Sequence, residues 1–202
     1  MIKKIIILYF ILLALCIPKI IYAAGFTQFQ PYMGYGVGSF TYGDKTVYDG
    51  TVKGFLLGIK FAINISDRFL LFADYSRIGP VNYVSSNTQS DFYSTKSVFN
   101  IFSGGAGVQY ESDRWTCAIG YYPYDHFIEY TKDFRFKGNL KRASIGVPLN
   151  NLFKVQFYYD LHSLVGDKLT DADRTLLCNY PFDNCKDVGE FSEVGFYISS
   201  SL

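Results

Sequence analysis

The sequence has little that would make an α-helical or nucleic-acid-binding protein. Beyond the first 24 of its 202 residues, no stretch shows the three-to-four-residue apolar period of a helix and none forms a long apolar run. Proline is scarce, with six residues, and the formal net charge is only +1. Since a nucleic-acid-binding domain normally carries a basic surplus, this balance argues against a nucleic-acid partner.

Motifs for catalysis, cofactors and metals are also missing. The glycine-rich stretch at residues 103–107 lacks the lysine and helix that follow a phosphate-binding loop. Ser163 directly follows His162, but adjacent strand residues face opposite sides and cannot form a nucleophile and base pair. His126 is followed by two apolar residues, so it has no hydroxyl partner either. We predict a non-enzymatic protein with no cofactor and no metal.

The amino terminus has the layout of a secretory signal peptide. Two lysines precede an apolar run over residues 5–17, and small residues from Ala23 onward precede the next segment. A retained membrane anchor is the less favoured alternative, because the run is shorter than the roughly 20 residues of a spanning helix. We predict a signal peptide at residues 1–23 and a mature domain at residues 24–202. Its loss leaves 16 basic and 18 acidic residues, a net charge near −2.

Alternation of apolar and polar residues, which indicates β-strands, recurs through the mature chain. Eight segments show it: residues 29–42, 54–65, 69–79, 97–110, 115–130, 134–149, 153–162 and 188–202. Three connections are tight turns, and the other four are longer: residues 43–52, 78–95, 130–133 and 165–187. Short turns at one rim and long loops at the other are typical of transmembrane β-barrels. The prediction is an all-β, eight-stranded antiparallel up-and-down barrel with periplasmic turns and extracellular loops.

The apolar and polar faces of the strands indicate whether lipid or water surrounds the barrel. Phe55, Ile59 and Phe157 belong to continuous apolar rows, and a barrel this small could hardly enclose such rows from all its strands. Aromatic residues at strand ends are typical of headgroup girdles; they are Tyr42, Phe69, Tyr75, Tyr110, Trp115, Tyr130 and Phe153. We therefore predict that the apolar rows face lipid. A soluble secreted barrel that encloses an apolar ligand is the alternative.

Charged residues occur on the opposite rows, where they face the interior. By parity these are Lys60, Asp74, Arg142, Asp160 and Glu193. Because buried charges are costly unless paired, we predict an interior salt-bridge network drawn from these five. The alternative is that some only line the wet ends of the lumen, and Asp160 is expected to be the most exposed.

Two cysteines in the last connection are predicted to form a disulfide. Cys178 and Cys185 lie close together in a polar stretch, and secretion permits their oxidation. A metal pair is the alternative, but no histidine lies nearby to complete it. Cys117, in an apolar strand, has no evident partner.

The mature chain resembles the small outer-membrane β-barrel proteins of Gram-negative bacteria, the group of the OmpA transmembrane domain and the opacity-type proteins. "PYMGYGVGSF" is similar to the glycine-alternating first strand of that family. "LLGIKFAINISDRFLLFADYSRIG" resembles its second hairpin, with Asp74 and Tyr75 as the acidic residue and tyrosine. One departure is the carboxyl terminus, where Leu202 replaces the aromatic residue that the assembly machinery reads in the family.

The resemblance implies a monomer in outer-membrane lipid, inserted by the barrel assembly machinery. The predicted role is structural or surface interaction, with an extracellular ligand bound through the loops. Two alternatives remain open: a narrow channel, which Tyr32, Tyr158 and Tyr197 would partly fill, and an enzyme that modifies lipid A acyl chains.

Overall fold

The computed structural model is a closed barrel of eight antiparallel strands, each paired with its neighbours in sequence and the last with the first. It describes residues 27–42, 49–85, 98–129, 135–150, 152–168 and 188–200. The strands are β1 (Thr27–Tyr42), β2 (Asp49–Asn64), β3 (Phe69–Ser85), β4 (Val98–Glu111), β5 (Thr116–Glu129), β6 (Arg135–Pro148), β7 (Phe153–Lys168) and β8 (Val188–Ser200). The predicted fold class is confirmed. The expected signal peptide lies outside the described residues, which contain no helix able to cross a membrane.

Three tight turns close one rim of the barrel, as predicted. The backbone N–H of Ile65 donates to the carbonyl of Phe69 at 2.8 Å, and Leu149 donates in the same way to Phe153 at 2.9 Å. In the last turn the side chain of Asn150 accepts the N–H of Phe153 at 2.8 Å, a common way for asparagine to hold a turn. Short turns mark the periplasmic side of transmembrane β-barrels, so the turn rim is named the periplasmic rim and the opposite one the extracellular rim.

Three strands are longer at the opposite, extracellular rim than the sequence predicted. Pairing begins at Asp49 in β2 and continues to Ser85 in β3 and Lys168 in β7. The actual connections are therefore shorter than the predicted ones at residues 43–52, 78–95 and 165–187. The polar composition of these segments predicts loops. Backbone hydrogen bonds between strands do not depend on an apolar side chain, so pairing extends into polar sequence.

The outward rows form an apolar band around the barrel. Phe55, Phe157 and Ile119 are 63%, 59% and 68% exposed, whereas Leu56 and Tyr122 on the inward rows are fully buried. This arrangement confirms the predicted faces. A continuous exposed apolar surface of this extent is not that of a soluble protein, and it matches the lipid-facing band of a transmembrane barrel.

Aromatic side chains cluster at the turn rim. The Tyr110 ring lies between those of Phe69 and Trp115, with centroid distances of 5.1 and 5.0 Å. Tyr75 was wrongly assigned to a girdle, because β3 continues ten residues beyond it and leaves its ring in the middle of the wall. The side chains of Tyr42 and Tyr130 lie outside the described residues.

The strands are strongly staggered around the barrel. Paired residues lead once around the wall from Tyr32 through Gly58, Ser76, Ser103, Asp125, Gly138, Leu164 and Gly189, and return to β1 at Tyr42. The return is ten residues from the start. A stagger of this kind accompanies strands tilted by roughly 35–45° to the barrel axis.

Candidate functional site: the polar interior

The interior changes in character from one rim to the other. Near the extracellular rim it is filled by aromatic rings, with Phe127 and Phe191 5.3 Å apart and Phe40 and Phe136 5.8 Å apart. Charged residues and tyrosines fill the middle, and glutamine and serine dominate towards the turns. The charged middle layer is the candidate site.

Arg142, on β6, is the centre of this layer. Its Nε and Nη2 donate to the two carboxylate oxygens of Asp160, on β7, at 2.8 and 2.7 Å. Its Nη1 lies 3.5 Å from Oδ2 of Asp74, on β3. The bidentate arrangement is the strongest geometry for such a pair, and both carboxylates are at most 5% exposed.

Tyrosines complete the bonding of Asp74. The hydroxyl of Tyr32, on β1, donates to its Oδ1 at 2.7 Å and accepts from Nη1 of Arg142 at 3.2 Å. The hydroxyl of Tyr122, on β5, donates to Oδ2 at 2.5 Å. Side chains from β1, β3, β5, β6 and β7 therefore meet in one cluster, which braces the barrel from inside.

Lys60 and Glu193 occupy adjoining positions. The ammonium of Lys60 donates to Gln109 at 3.0 Å and lies 4.6 Å from the Phe72 ring centroid. Glu193 accepts the hydroxyl of Tyr158, whose ring is stacked against Arg142. Among the described residues neither charge pairs directly with Arg142 or its two carboxylates.

All five residues proposed for the interior network are buried inside the barrel. The structure brings Arg142, Asp160 and Asp74 into one ionic cluster and leaves Lys60 and Glu193 bonded to neutral side chains. The expectation that Asp160 would be the most exposed is wrong, since Asp160 is fully buried. It pairs across the sheet with Arg142 in the middle of the barrel, far from either rim.

Strand alternation does not predict a second polar group in the interior. Asp125, on β5, accepts the Ser103 hydroxyl at 2.7 Å and Nδ1 of His162 at 2.7 Å. Strict alternation from Tyr122 places Asp125 outside, but the register of β5 shifts between these residues and turns Asp125 inward. Pro123 was the available signal, because a proline within a strand marks a bulge or an edge.

The hydrogen bonds among Ser103, Asp125 and His162 form a structural network and not a catalytic one. The Ser103 hydroxyl donates to Asp125 and not to His162, and the exposed Ser163 faces outward. Nε2 of His162 has no hydrogen-bond partner among the described residues and lies 4.0 Å from Asp160.

The part of the chain that the structure describes contains no group of three or more histidine, cysteine or acidic residues that could hold a metal ion. Cys117 is a free thiol, whereas Cys178 and Cys185 lie outside the described residues.

Glycine makes room for the interior tyrosines. A Cβ placed on Gly58 would lie 2.1 Å from the ring of Tyr32, whose hydroxyl is held by Asp74 and Arg142. A Cβ on the outward Gly104 would meet nothing closer than 3.5 Å.

We therefore expect Gly58→Ala to lower the free energy of unfolding by about 1–3 kcal/mol, the usual cost of overpacking. The measurement is urea unfolding in detergent followed by the fluorescence of the single tryptophan. Gly104→Ala is the matched control and should unfold like the parent. Equal stability of both variants would mean that Tyr32 does not need the space at Gly58.

Two solved structures share this fold. Ail, the attachment invasion locus protein of Yersinia pestis, solved with the heparin analogue sucrose octasulfate, matches with a TM-score of 0.50 and 8% identity over 87% of this chain and 99% of that chain. Neisserial surface protein A matches with a TM-score of 0.51 and 12% identity over 86% of this chain and 97% of that chain. No protein-family model and no curated protein sequence matches this chain.

These matches agree with the fold expected from the resemblance of the first strand and second hairpin. The barrel is closed, its lumen is polar and charged in the middle, and its outer wall is apolar. The chain therefore has the fold of the small eight-stranded outer-membrane β-barrels, and its apolar band is the lipid-facing surface of that fold.

Proposed function

We propose that the protein is a non-enzymatic outer-membrane scaffold whose extracellular connections bind a surface partner. The observation that carries this proposal is the filled and cross-bonded interior. Ile101, Leu140 and Leu164 are fully buried near the extracellular end, directly above the Arg142 cluster. A lumen packed in this way supports a rigid scaffold.

The packed lumen disfavours the channel alternative. Eight strands leave an interior just wide enough for side chains to fill. Passage of a solute would require the bidentate Arg142–Asp160 pair to open, which leaves buried charges without partners. The enzyme alternative has no supporting geometry among the described residues, because Ser103, Asp125 and His162 are buried and not ordered as nucleophile, base and orienting acid.

Strand length supports a role above the membrane. β2, β3 and β7 contain 16, 17 and 16 residues, whereas about 9–11 residues span a bilayer. The excess lies at the extracellular rim and lifts the long connections away from the lipid surface. Connections held on a rigid scaffold are where binding residues usually occur.

The barrel is proposed to act as a monomer in outer-membrane lipid, inserted by the barrel assembly machinery. Every strand is already paired on both sides, so no open sheet edge is left for another copy.

The test replaces residues 169–187, which include Cys178 and Cys185, by a short glycine-serine linker. Cells displaying the parent protein are expected to bind epithelial cells or immobilised heparin at least tenfold better than cells without it, and the replacement should abolish this difference. Heparin is the first defined probe because Ail, which shares the fold, was solved with a heparin analogue.

The matched control is the same replacement at residues 43–48, which should retain binding. A band that migrates differently before and after boiling shows that each variant still forms a barrel. Unchanged binding after replacement of residues 169–187 would contradict a role for this connection. Conductance steps in a planar bilayer would favour the channel instead.

A further inference from the structure

A cleft of about 390 Å³ opens on the outer wall of the barrel, across β6, β7, β8 and β1. Five polar residues of its lining are Ser39, Lys141, Ser163, Glu190 and Ser192; the rest of the lining is Tyr159, Leu161 and the inward His162 and Phe191. All five face outward, on the surface that otherwise forms the apolar band. The cleft thus opens on the outer wall and reaches inward only at His162 and Phe191.

The register of the strands explains why a cleft forms here. Lys141 lies opposite Leu161, Leu161 lies opposite Ser192, and Ser192 lies opposite Ser39. Small serines beside long side chains leave a depression in the wall. The Ser39 and Ser192 hydroxyls, both in the cleft lining, lie 3.2 Å apart, within hydrogen-bond distance.

The cleft lies at the extracellular edge of the apolar band. Two residues nearer the turns on the same strands, the outward positions are Ala143, Tyr159, Val194 and Val37. Two residues nearer the extracellular rim they include Ser163 and Glu190. An apolar surface therefore passes into a polar one within a single cleft, at the depth where an amphiphile's chains meet its headgroup.

Lys141 has no ion-pair partner among the described residues. Lys137, four residues away on the same strand and face, pairs with Asp167. An unpaired cation on a lipid-facing wall costs free energy unless it reaches the interface or an anionic group. Phosphate is the anionic group that lipid headgroups offer at this depth.

We propose that this cleft binds the phosphorylated sugar headgroup of a glycolipid in the outer leaflet. Lys141 binds the phosphate, and the serine hydroxyls and Glu190 hydrogen-bond to sugar hydroxyls. Tyr159 and Leu161 pack against the first part of the acyl chains. Glu190 and the three serines favour a glycolipid over a simple phospholipid, because together they can bond to more hydroxyls than the two of a glycerol headgroup.

The experiment titrates the refolded mature protein in detergent with lipopolysaccharide that lacks its O-chain and measures the dissociation constant. Lys141→Gln should weaken binding about tenfold, the effect of losing one charge-assisted hydrogen bond. Lys53→Gln removes an exposed outward lysine on β2, which does not line the cleft and lies four strands from Lys141, and should leave the constant unchanged. Ser192→Leu, which fills the cleft, is expected to weaken binding without removing a charge.

Two further probes identify the headgroup chemistry. Dephosphorylated lipopolysaccharide should bind the parent as weakly as the intact lipid binds Lys141→Gln, and phosphatidylglycerol should bind at least tenfold more weakly than the intact glycolipid. Equal affinity for phosphatidylglycerol would overturn the assignment of a sugar headgroup. Equal affinities of the parent and both cleft variants, or an equal loss in Lys53→Gln, would overturn the site itself.

Discussion

Arg142→Met is expected to lower the free energy of unfolding by about 3–5 kcal/mol, the cost of breaking a buried ion pair by removing one partner. Methionine keeps the length of the side chain but leaves Asp160 and Asp74 buried without their cation. Tyr32 also loses the donor to its hydroxyl oxygen. The measurement is urea unfolding in lipid vesicles, with heat modifiability as the check that the barrel still forms.

The matched control is Lys154→Met, which removes an interior cation nearer the turn rim. Lys154 pairs with Glu111, and their side chains are 13% and 20% exposed, so water can solvate the remaining carboxylate. Its loss should therefore be less than half that of Arg142→Met. Adding Asp160→Asn to Arg142→Met should recover part of the stability, because one of the two uncompensated carboxylates is then neutral. A loss in Arg142→Met no larger than that of the control would contradict the central role of Arg142.

Phe157→Arg is expected to destabilise the barrel by about 2–4 kcal/mol, the cost of a cation on the lipid face near the bilayer midplane. Phe157 is 59% exposed and pairs with Ile145 on one side and Phe196 on the other, in the middle of the apolar band. Neither Ile145 nor Phe196 is acidic, so the introduced guanidinium has no carboxylate partner at the paired positions. Unfolding is measured in vesicles of defined thickness.

Thr51→Arg provides the control at a different depth. Thr51 is exposed on β2 near the extracellular rim, opposite Ser39. The same substitution there should cost only about 0–1 kcal/mol, because the guanidinium reaches the headgroups. Equal losses at both positions would mean that the wall does not face lipid, and the alternative of a soluble barrel would return.

The faces of the barrel were predictable because strand alternation depends only on the sequence. Once Phe55 and Ile59 were assigned to the outside, Lys60 had to face the interior. The fold class followed from the same pattern together with the asymmetry of the connections. Strand ends were less predictable, because polar sequence beyond the membrane can pair as well as apolar sequence.

The partners of the interior charges could not be predicted from alternation. Lys60 lies directly opposite Asp74 in the register, yet its ammonium bonds to Gln109 while Asp74 bonds to Tyr32 and Tyr122. Arg142 approaches the same carboxylate from β6, because its fork of donors serves two acids at once. Such choices depend on where all eight strands place their side chains across the lumen.

Pairing of β1 with β8 joins positions that are far apart along the chain. Tyr32 lies opposite Ser199, so barrel closure must wait until β8 has been made and delivered. Contacts of such long range form slowly, because a long segment has to be ordered before they can form. An incomplete chain presents two unpaired sheet edges, which can associate with other chains. Failure to complete the last strand is therefore expected to produce an aggregating or degraded chain and no smaller functional barrel.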